Sequence, residues 1–189
     1  ISRCEFNIWM RILNKVQGSV LWLFKSNPLA EKSLRKEAQN SGIDPSRLIF
    51  ADSLPHSEHL ARHKHADLFI DTFNYNAHTT ASDALWAGLP VVTKQGEQFA
   101  ARVASSLLHA VGLPELVAAT EEEYENLIIE LATNPARLAA IRDKLWVNRK
   151  TESLFDTKRY TRNFERGLEL AHQSYLNGDP PADIKVTEG

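Results

Sequence analysis

The sequence holds a single cysteine, Cys4, among its 189 residues. That excludes an internal disulfide framework and a Cys-rich zinc site, and it fits a reducing compartment. Glycine is sparse and scattered, at positions 18, 42, 88, 96, 112, 167, 178 and 189. Neither Gly-x-Gly-x-x-Gly nor a P-loop can be built from those positions, so dinucleotide oxidoreduction and P-loop NTP hydrolysis lose their main support. No Gly-x-Ser-x-Gly elbow exists, and Cys4 falls on the first expected helix with nothing to activate it. Neither sign of charge dominates: 22 Lys and Arg against 24 Asp and Glu leave a net charge of −2. There is no global positive field to draw nucleic acid or acidic lipid. No run approaches the roughly 18 apolar residues of a membrane span, the longest being Ser19 to Phe24, and no signal peptide is read. Neither nucleic acid nor membrane is expected as a partner, and a cytoplasmic location is.

What is present fits one soluble globular core, with 43% hydrophobic and 24% charged residues in a length that allows one domain of ordinary size. Ile1 is not an initiator methionine and a helix signal follows at once, so the chain is expected to be part of a longer protein. Ser2 and Glu5 have capping-box spacing, and Phe6, Trp9, Met10, Leu13 and Val16 recur at helical spacing behind them.

From residue 19 onward, short apolar runs alternate with helical patterns. Ser19–Phe24, Arg47–Ala51, Asp67–Asp71, Pro90–Thr93 and Leu116–Ala119 read as strands. Their starts lie 20 to 28 residues apart, room for a strand, a helix and two loops each time, which predicts a doubly wound parallel sheet of the α/β class. Three runs lack alternation, as strands covered on both faces do. Helices are expected over 29–41, stopping at Gly42, and over 97–111, with Phe99, Val103, Leu107 and Val111 on one stripe and Gly112 at its end. A capping box at Thr120-Glu121-Glu122-Glu123 opens another, which stops near Asn134-Pro135. Two further helices follow, over 136–149 and 157–176, and 177–189 is expected to be a loose tail. The last helix carries Tyr160, Phe164, Leu168, Ala171 and Tyr175 on one stripe, which either packs on its own domain or crosses to another and stays exposed here.

In such sheets ligands bind beyond the carboxyl ends of the strands. After Asp71 come Asn74 to Asp83, with Thr79 and Thr80 at a helix start. Free N–H groups, the helix dipole and two hydroxyls suit phosphate oxygens, and Asp83 could accept bonds from ribose hydroxyls. An ordinary N-cap by Thr79 or Thr80 is the competing explanation. After Ala51 come Leu54-Pro55-His56 to His65. His56, His59 and His63 share a helical face, which raises a metal site against a merely solvated face. A nucleotide offers a third use, with His59 stacking on a base and Arg62 bonding a base carbonyl.

Taken together, Ser19-Val20-Leu21-Trp22-Leu23, Leu54 to Arg62, His65 to Thr72, Asn76-Ala77-His78-Thr79-Thr80 with Asp83, Leu85-Trp86-Ala87-Gly88, and Gly96 to Ala104 closely resemble the C-terminal catalytic half of the O-GlcNAc transferase family. The resemblance spans residues 1–176 and is closer to the bacterial members, which carry tetratricopeptide repeats upstream. It implies the second, Rossmann-like domain of a GT-B glycosyltransferase, ending in extra C-terminal helices, that binds UDP-GlcNAc. In that frame Leu54 touches uracil through its backbone, His59 stacks on it and Arg62 bonds it. Asp83 holds the ribose, and His78, Thr79 and Thr80 surround the diphosphate. His56 stands where animal members have a ribose-contacting lysine.

The implied reaction is inverting transfer of N-acetylglucosamine from UDP to Ser or Thr of proteins, with neither cofactor nor metal. Charge on the departing UDP is met by N–H groups, hydroxyls and the helix dipole. A phosphate-binding lysine of the family lies ahead of the segment matching Ile1. Together with an upstream catalytic domain and the repeats that recruit protein acceptors, it is outside this sequence, so these 189 residues alone are expected to be inactive. No residue stands out as general base. The alternatives are a UDP-glucose-dependent Asn glucosyltransferase of the related adhesin-modifying group and a non-catalytic nucleotide-binding or interaction module.

Overall fold

The computed structural model describes residues 1–187. Helix α1 (Arg3–Lys15) opens as its sequence dictates: the Glu5 carboxylate accepts the Ser2 amide at 2.8 Å and also the Ser2 hydroxyl. Its apolar stripe is buried at Phe6, Ile8, Trp9, Met10, Ile12 and Leu13. Strand β1 (Leu21–Phe24) pairs in parallel with β2 (Leu48–Ala51), Trp22 opposite Ile49 and Phe24 opposite Ala51. Between them runs α2 (Pro28–Asn40), capped by Asn27, whose side chain accepts the Ala30 amide at 2.8 Å. Asp44-Pro45 turns the chain into β2, and the Arg47 guanidinium ties the strand starts together by donating to the carbonyls of Ser19 and Val16.

Helix α3 (His56–Arg62) follows β2, and a short 3-10 turn leads to β3 (Phe69–Ile70). Helix α4 (Thr79–Trp86) connects β3 to β4 (Val91–Lys94), and α5 (Val103–Ala110) connects β4 to β5 (Val117–Ala118). The order β3-β4-β5 is parallel throughout. Then come α6 (Glu121–Thr133), α7 (Pro135–Thr151) and α8 (Thr157–Asn177). Every expected strand and its parallel sense is present.

The structure also departs from the sequence-based expectations. Among the described residues the strands form a two-stranded and a three-stranded sheet rather than one hydrogen-bonded sheet, because no ladder joins β3 to β1. Cover is unequal as well. Val91, Val92 and Thr93 are fully buried beneath α4, α5 and α6, as a strand covered on both faces should be, whereas Trp22, Phe24 and Ile49 leave one face of β1 and β2 open. The helix expected over 97–111 breaks at Arg102 into a 3-10 turn (Phe99–Ala101) and α5. Phe99 is thereby turned out, 74% exposed, and the buried stripe runs through Ala101, Ala104, Leu108 and Val111 instead. Gly112 ends α5 with φ +72°, a left-handed backbone that favours glycine, and a Cβ there would also press on the Asn148 side-chain amide at 2.7 Å.

No residue of α8 is buried; Tyr160, Phe164, Leu168 and Tyr175 are each more than half exposed. Of the two fates expected for this stripe, the structure shows the exposed one. Residues 179–187 form neither helix nor strand, with Val186 lying beside Gly167, while 188 and 189, the end of the expected tail, fall outside the described residues.

Candidate functional site

Strand β3 ends on Ile70, Asp71 follows it directly, and a loop over 72–77 carries the chain from there to α4. The N-cap of α4 is His78, whose side chain makes no capping bond. The helix ladder begins with the amides of Ala81 and Ser82, both donating to the His78 carbonyl at 3.1 Å. The amides of Thr79 and Thr80 therefore point out of the helix end without an intrahelical acceptor. Both threonines are exposed, and among the described residues neither hydroxyl enters a hydrogen bond. The N-cap explanation for these two residues thus has no support in the structure.

An open cleft of about 440 Å³ lies here, lined by Asp71, Thr72, Tyr75, His78, Thr79 and Thr80. The His78 ring is held between two aromatic neighbours: Tyr75 stacks on it at 4.6 Å between centroids, and Phe99 meets it edge-on at 6.1 Å. His78 Nε2 is buried without a hydrogen-bond partner, a cost of roughly 1–3 kcal/mol unless a ligand or water meets it. Free amides, two hydroxyls and the positive helix end line one cleft, which suits an anion with several oxygens.

Asp83 lies one turn along α4, and His56 Nε2 of α3 comes within 3.4 Å of its carboxylate. Helices α3 and α4, which follow β2 and β3 and are separate in sequence, meet at this pair. On α3, Arg62 donates to the Asp52 carbonyl at 2.8 Å, sits 2.8 Å from His59 Nδ1 and lies over the Trp22 ring at 5.6 Å. The His59 ring is set by Arg62 on one side and by the His63 ring, edge-on at 4.7 Å, on the other. Burial, with His63 and Arg62 adding to it, pushes the His59 imidazole below its ordinary value, which favours the neutral ring. Leu54 stands 40% exposed ahead of α3.

His63 does not join His56 and His59 as a third ligand. It is buried, with Nδ1 2.8 Å from the His59 carbonyl, and among the described residues no three His, Cys, Asp or Glu side chains are grouped to hold a metal ion.

Sequence reasoning missed Asp71, Tyr75 and Phe99. Asp71 had a visible signal, a carboxylate closing an apolar strand at the carboxyl edge of the sheet. Tyr75 and Phe99 had none, since their packing around His78 depends on where two distant loops meet.

Comparison with known proteins agrees with this geometry. Residues 1–164 match the model of glycosyl transferase family 41. The chain is 40% identical over 180 residues to a UDP-N-acetylglucosamine–peptide N-acetylglucosaminyltransferase of Caenorhabditis elegans, covering 95% of this chain and 16% of that protein. It is 39% identical over 183 residues to the probable UDP-N-acetylglucosamine–peptide N-acetylglucosaminyltransferase SEC of Arabidopsis thaliana, covering 96% and 19%. A solved structure of the Thermobaculum terrenum O-GlcNAc transferase, mutant K341M, superposes with a TM-score of 0.82 at 30% identity, covering 92% of this chain and 33% of that one. The chain thus spans a fifth or less of the curated relatives' length, and no described helix is long and apolar enough to cross a membrane. With a matching family model over most of its length and the parallel α/β fold of a solved relative, this chain belongs to glycosyl transferase family 41.

Proposed function

We propose that this chain is the nucleotide-sugar-binding half of an inverting glycosyltransferase that moves N-acetylglucosamine from UDP-GlcNAc to Ser or Thr of proteins. One observation carries the proposal: the start of α4, with its unpartnered amides and free Thr79 and Thr80 hydroxyls, lines one cleft together with His78 just beyond the carboxyl end of β3. The diphosphate sits there, the ribose between Asp83 and His56, and the uracil against Leu54, His59 and Arg62. The neutral ring favoured at His59 suits stacking on an uncharged base.

Bond cleavage at the sugar leaves charge on UDP, and donors already aimed at it stabilise that charge without reorganising. No metal is required in this scheme, and none of the described residues is assigned as general base. The relatives are named for transfer of N-acetylglucosamine, which favours that donor over UDP-glucose. The acceptor site, the phosphate-binding lysine and the substrate-recruiting repeats belong to upstream parts of the full-length protein, in the cytoplasm of a bacterium. The exposed stripe of α8 and the separate β1-β2 and β3-β4-β5 ladders fit a domain that is completed by those parts.

The test is a calorimetric titration of the full-length protein with UDP in the presence of a chelator, alongside Asp83→Ala. Saturable binding that the substitution weakens supports the site. Absence of binding up to millimolar UDP in the full-length protein defeats it and leaves a non-catalytic module.

A further inference from the structure

The cleft is only as good a receptor as the loop that holds its helix end in place, and of the buried contacts that fasten that loop, Asp71 is the one that closes it at both ends. Asp71 is 1% exposed. Its Oδ1 accepts the amide of Thr72 at 2.8 Å and that of Ala77 at 2.7 Å, and its Oδ2 accepts the Thr93 hydroxyl at 2.7 Å. Ala77 is the residue before the His78 N-cap, so one carboxylate closes the loop at both ends and anchors it to β4. Its backbone is held too, since the Tyr124 hydroxyl of α6 donates to the Asp71 carbonyl at 2.8 Å.

We propose that Asp71 is a positioning residue of the donor site, whose carboxylate clamps loop 72–77 and so fixes the direction in which the start of α4 faces the cleft. This rests on the assignment of that cleft to UDP. The groups facing the clamp are His78 from the loop, Thr93 and Lys94 from β4, Glu5 from α1 through the Phe73 amide, and Tyr124 from α6. None of these offers Asp71 an ion pair, so its role is read from its three hydrogen bonds and not from a counter-charge.

The geometry separates this role from a chemical one. An asparagine at 71 can still accept both amides at Oδ1 and can donate from Nδ2 to the Thr93 oxygen, because that hydroxyl is free to rotate. A proton acceptor in the reaction could not be replaced in this way. In the full-length protein, Asp71→Ala is expected to lower UDP affinity about tenfold or more, and Asp71→Asn to restore both affinity and kcat to within about threefold of wild type. Loss of kcat in Asp71→Asn with UDP affinity intact would overturn the proposal and make Asp71 a participant in the chemistry.

Hydrogen exchange at the Thr72 and Ala77 amides, followed without nucleotide, supplies a readout independent of the UDP assignment. Both amides should lose protection in Asp71→Ala and keep it in Asp71→Asn; protection unchanged in Asp71→Ala would sink the clamp. If wild type binds no UDP while the exchange pattern holds, the clamp stands and the ligand assignment fails. Should Asp71→Ala not fold, Thr93→Val removes one of the three bonds and is expected to weaken UDP binding by a few-fold, with unchanged binding counting against the proposal.

Discussion

Glu5 and Phe73 lie 68 residues apart in the chain, yet Glu5 Oε1 accepts the Phe73 amide at 2.9 Å while its other oxygen caps the start of α1. A single buried carboxylate thus ties the first helix to the loop beneath the candidate donor site. Burial alone would push the Glu5 carboxyl up, but hydrogen bonds from Ser2 and from the Phe73 amide hold it below the usual carboxylate range. Removing it as Glu5→Ala strands two backbone donors, one of them buried. An expected loss of about 1–3 kcal/mol can be read from the midpoint of urea unfolding, and an unchanged midpoint would contradict the role.

Asp71 and Glu5 respond to pH in opposite senses. Burial pushes the Asp71 carboxyl from 3.8 up to about 6, against the hydrogen bonds of Thr93, Ala77 and Thr72. Between those two values the folded state keeps a proton that the unfolded chain has lost, so stability falls as pH rises through roughly 4 to 6, by up to about 3 kcal/mol. Asp71→Asn should abolish that slope and gain stability relative to wild type at pH 7. A difference between the two melting temperatures that does not change from pH 4 to 7 would refute it.

Glu5 and Glu125 contribute the reverse. Glu125 is held low because Arg11 and Lys15, at 2.6 and 3.0 Å, outweigh its burial. The stability from both groups is complete above about pH 4.5 and is lost as pH falls through their depressed folded values. Glu125→Gln is therefore expected to destabilise the protein at neutral pH, and progressively less as pH falls below about 4.5, measurable by unfolding over a series of pH values.

Tyr124 connects the core to the site. Its ring is fully buried edge-on against Phe73, and its hydroxyl accepts from Trp9 Nε1 at 3.1 Å and donates to the Asp71 carbonyl. Tyr124→Phe keeps the packing and removes both bonds, leaving the Trp9 N–H unmet, for an expected cost of about 1–3 kcal/mol. Denaturant unfolding checks this, and a neutral result would mean that a water replaces the hydroxyl.

At the site, Thr79→Ala with Thr80→Ala, and separately Asp83→Ala, should each lower kcat/KM for UDP-GlcNAc in the full-length protein by about ten- to a hundredfold, the loss expected when hydrogen bonds to a charged ligand are removed. Wild-type activity in both would defeat the assignment. Phe164→Asp on α8 should change the stability of these 189 residues by no more than about 0.5 kcal/mol, because its ring is already half exposed.

Much of this was legible in order along the chain. The strand runs, the capping residues Ser2 and Thr120, and the stops at Gly42 and Gly112 are local signals, and each element they marked is present. Thr79, Thr80 and Asp83 could be singled out because a helix start beyond a strand's carboxyl end is a recognisable place. Phe99 was misplaced in a buried stripe because four-residue spacing assumes an unbroken helix, and Arg102 interrupts it. That β1 and β2 keep one face open was not legible, because an apolar run states that a strand can be buried, not that something lies over it.

By itself the sequence determined which segments become helix or strand and which loops carry polar groups able to meet a nucleotide, since periodicity, capping and backbone preference act over a few residues. Only the tertiary structure decided that Glu5 reaches Phe73, that His56 meets Asp83, that Tyr75 and Phe99 enclose His78 and that Asp71 clamps the loop. Those relations join residues up to 68 positions apart. They exist only once packing has turned each side chain toward one partner and away from water, a choice made by the whole core rather than by any stretch of chain.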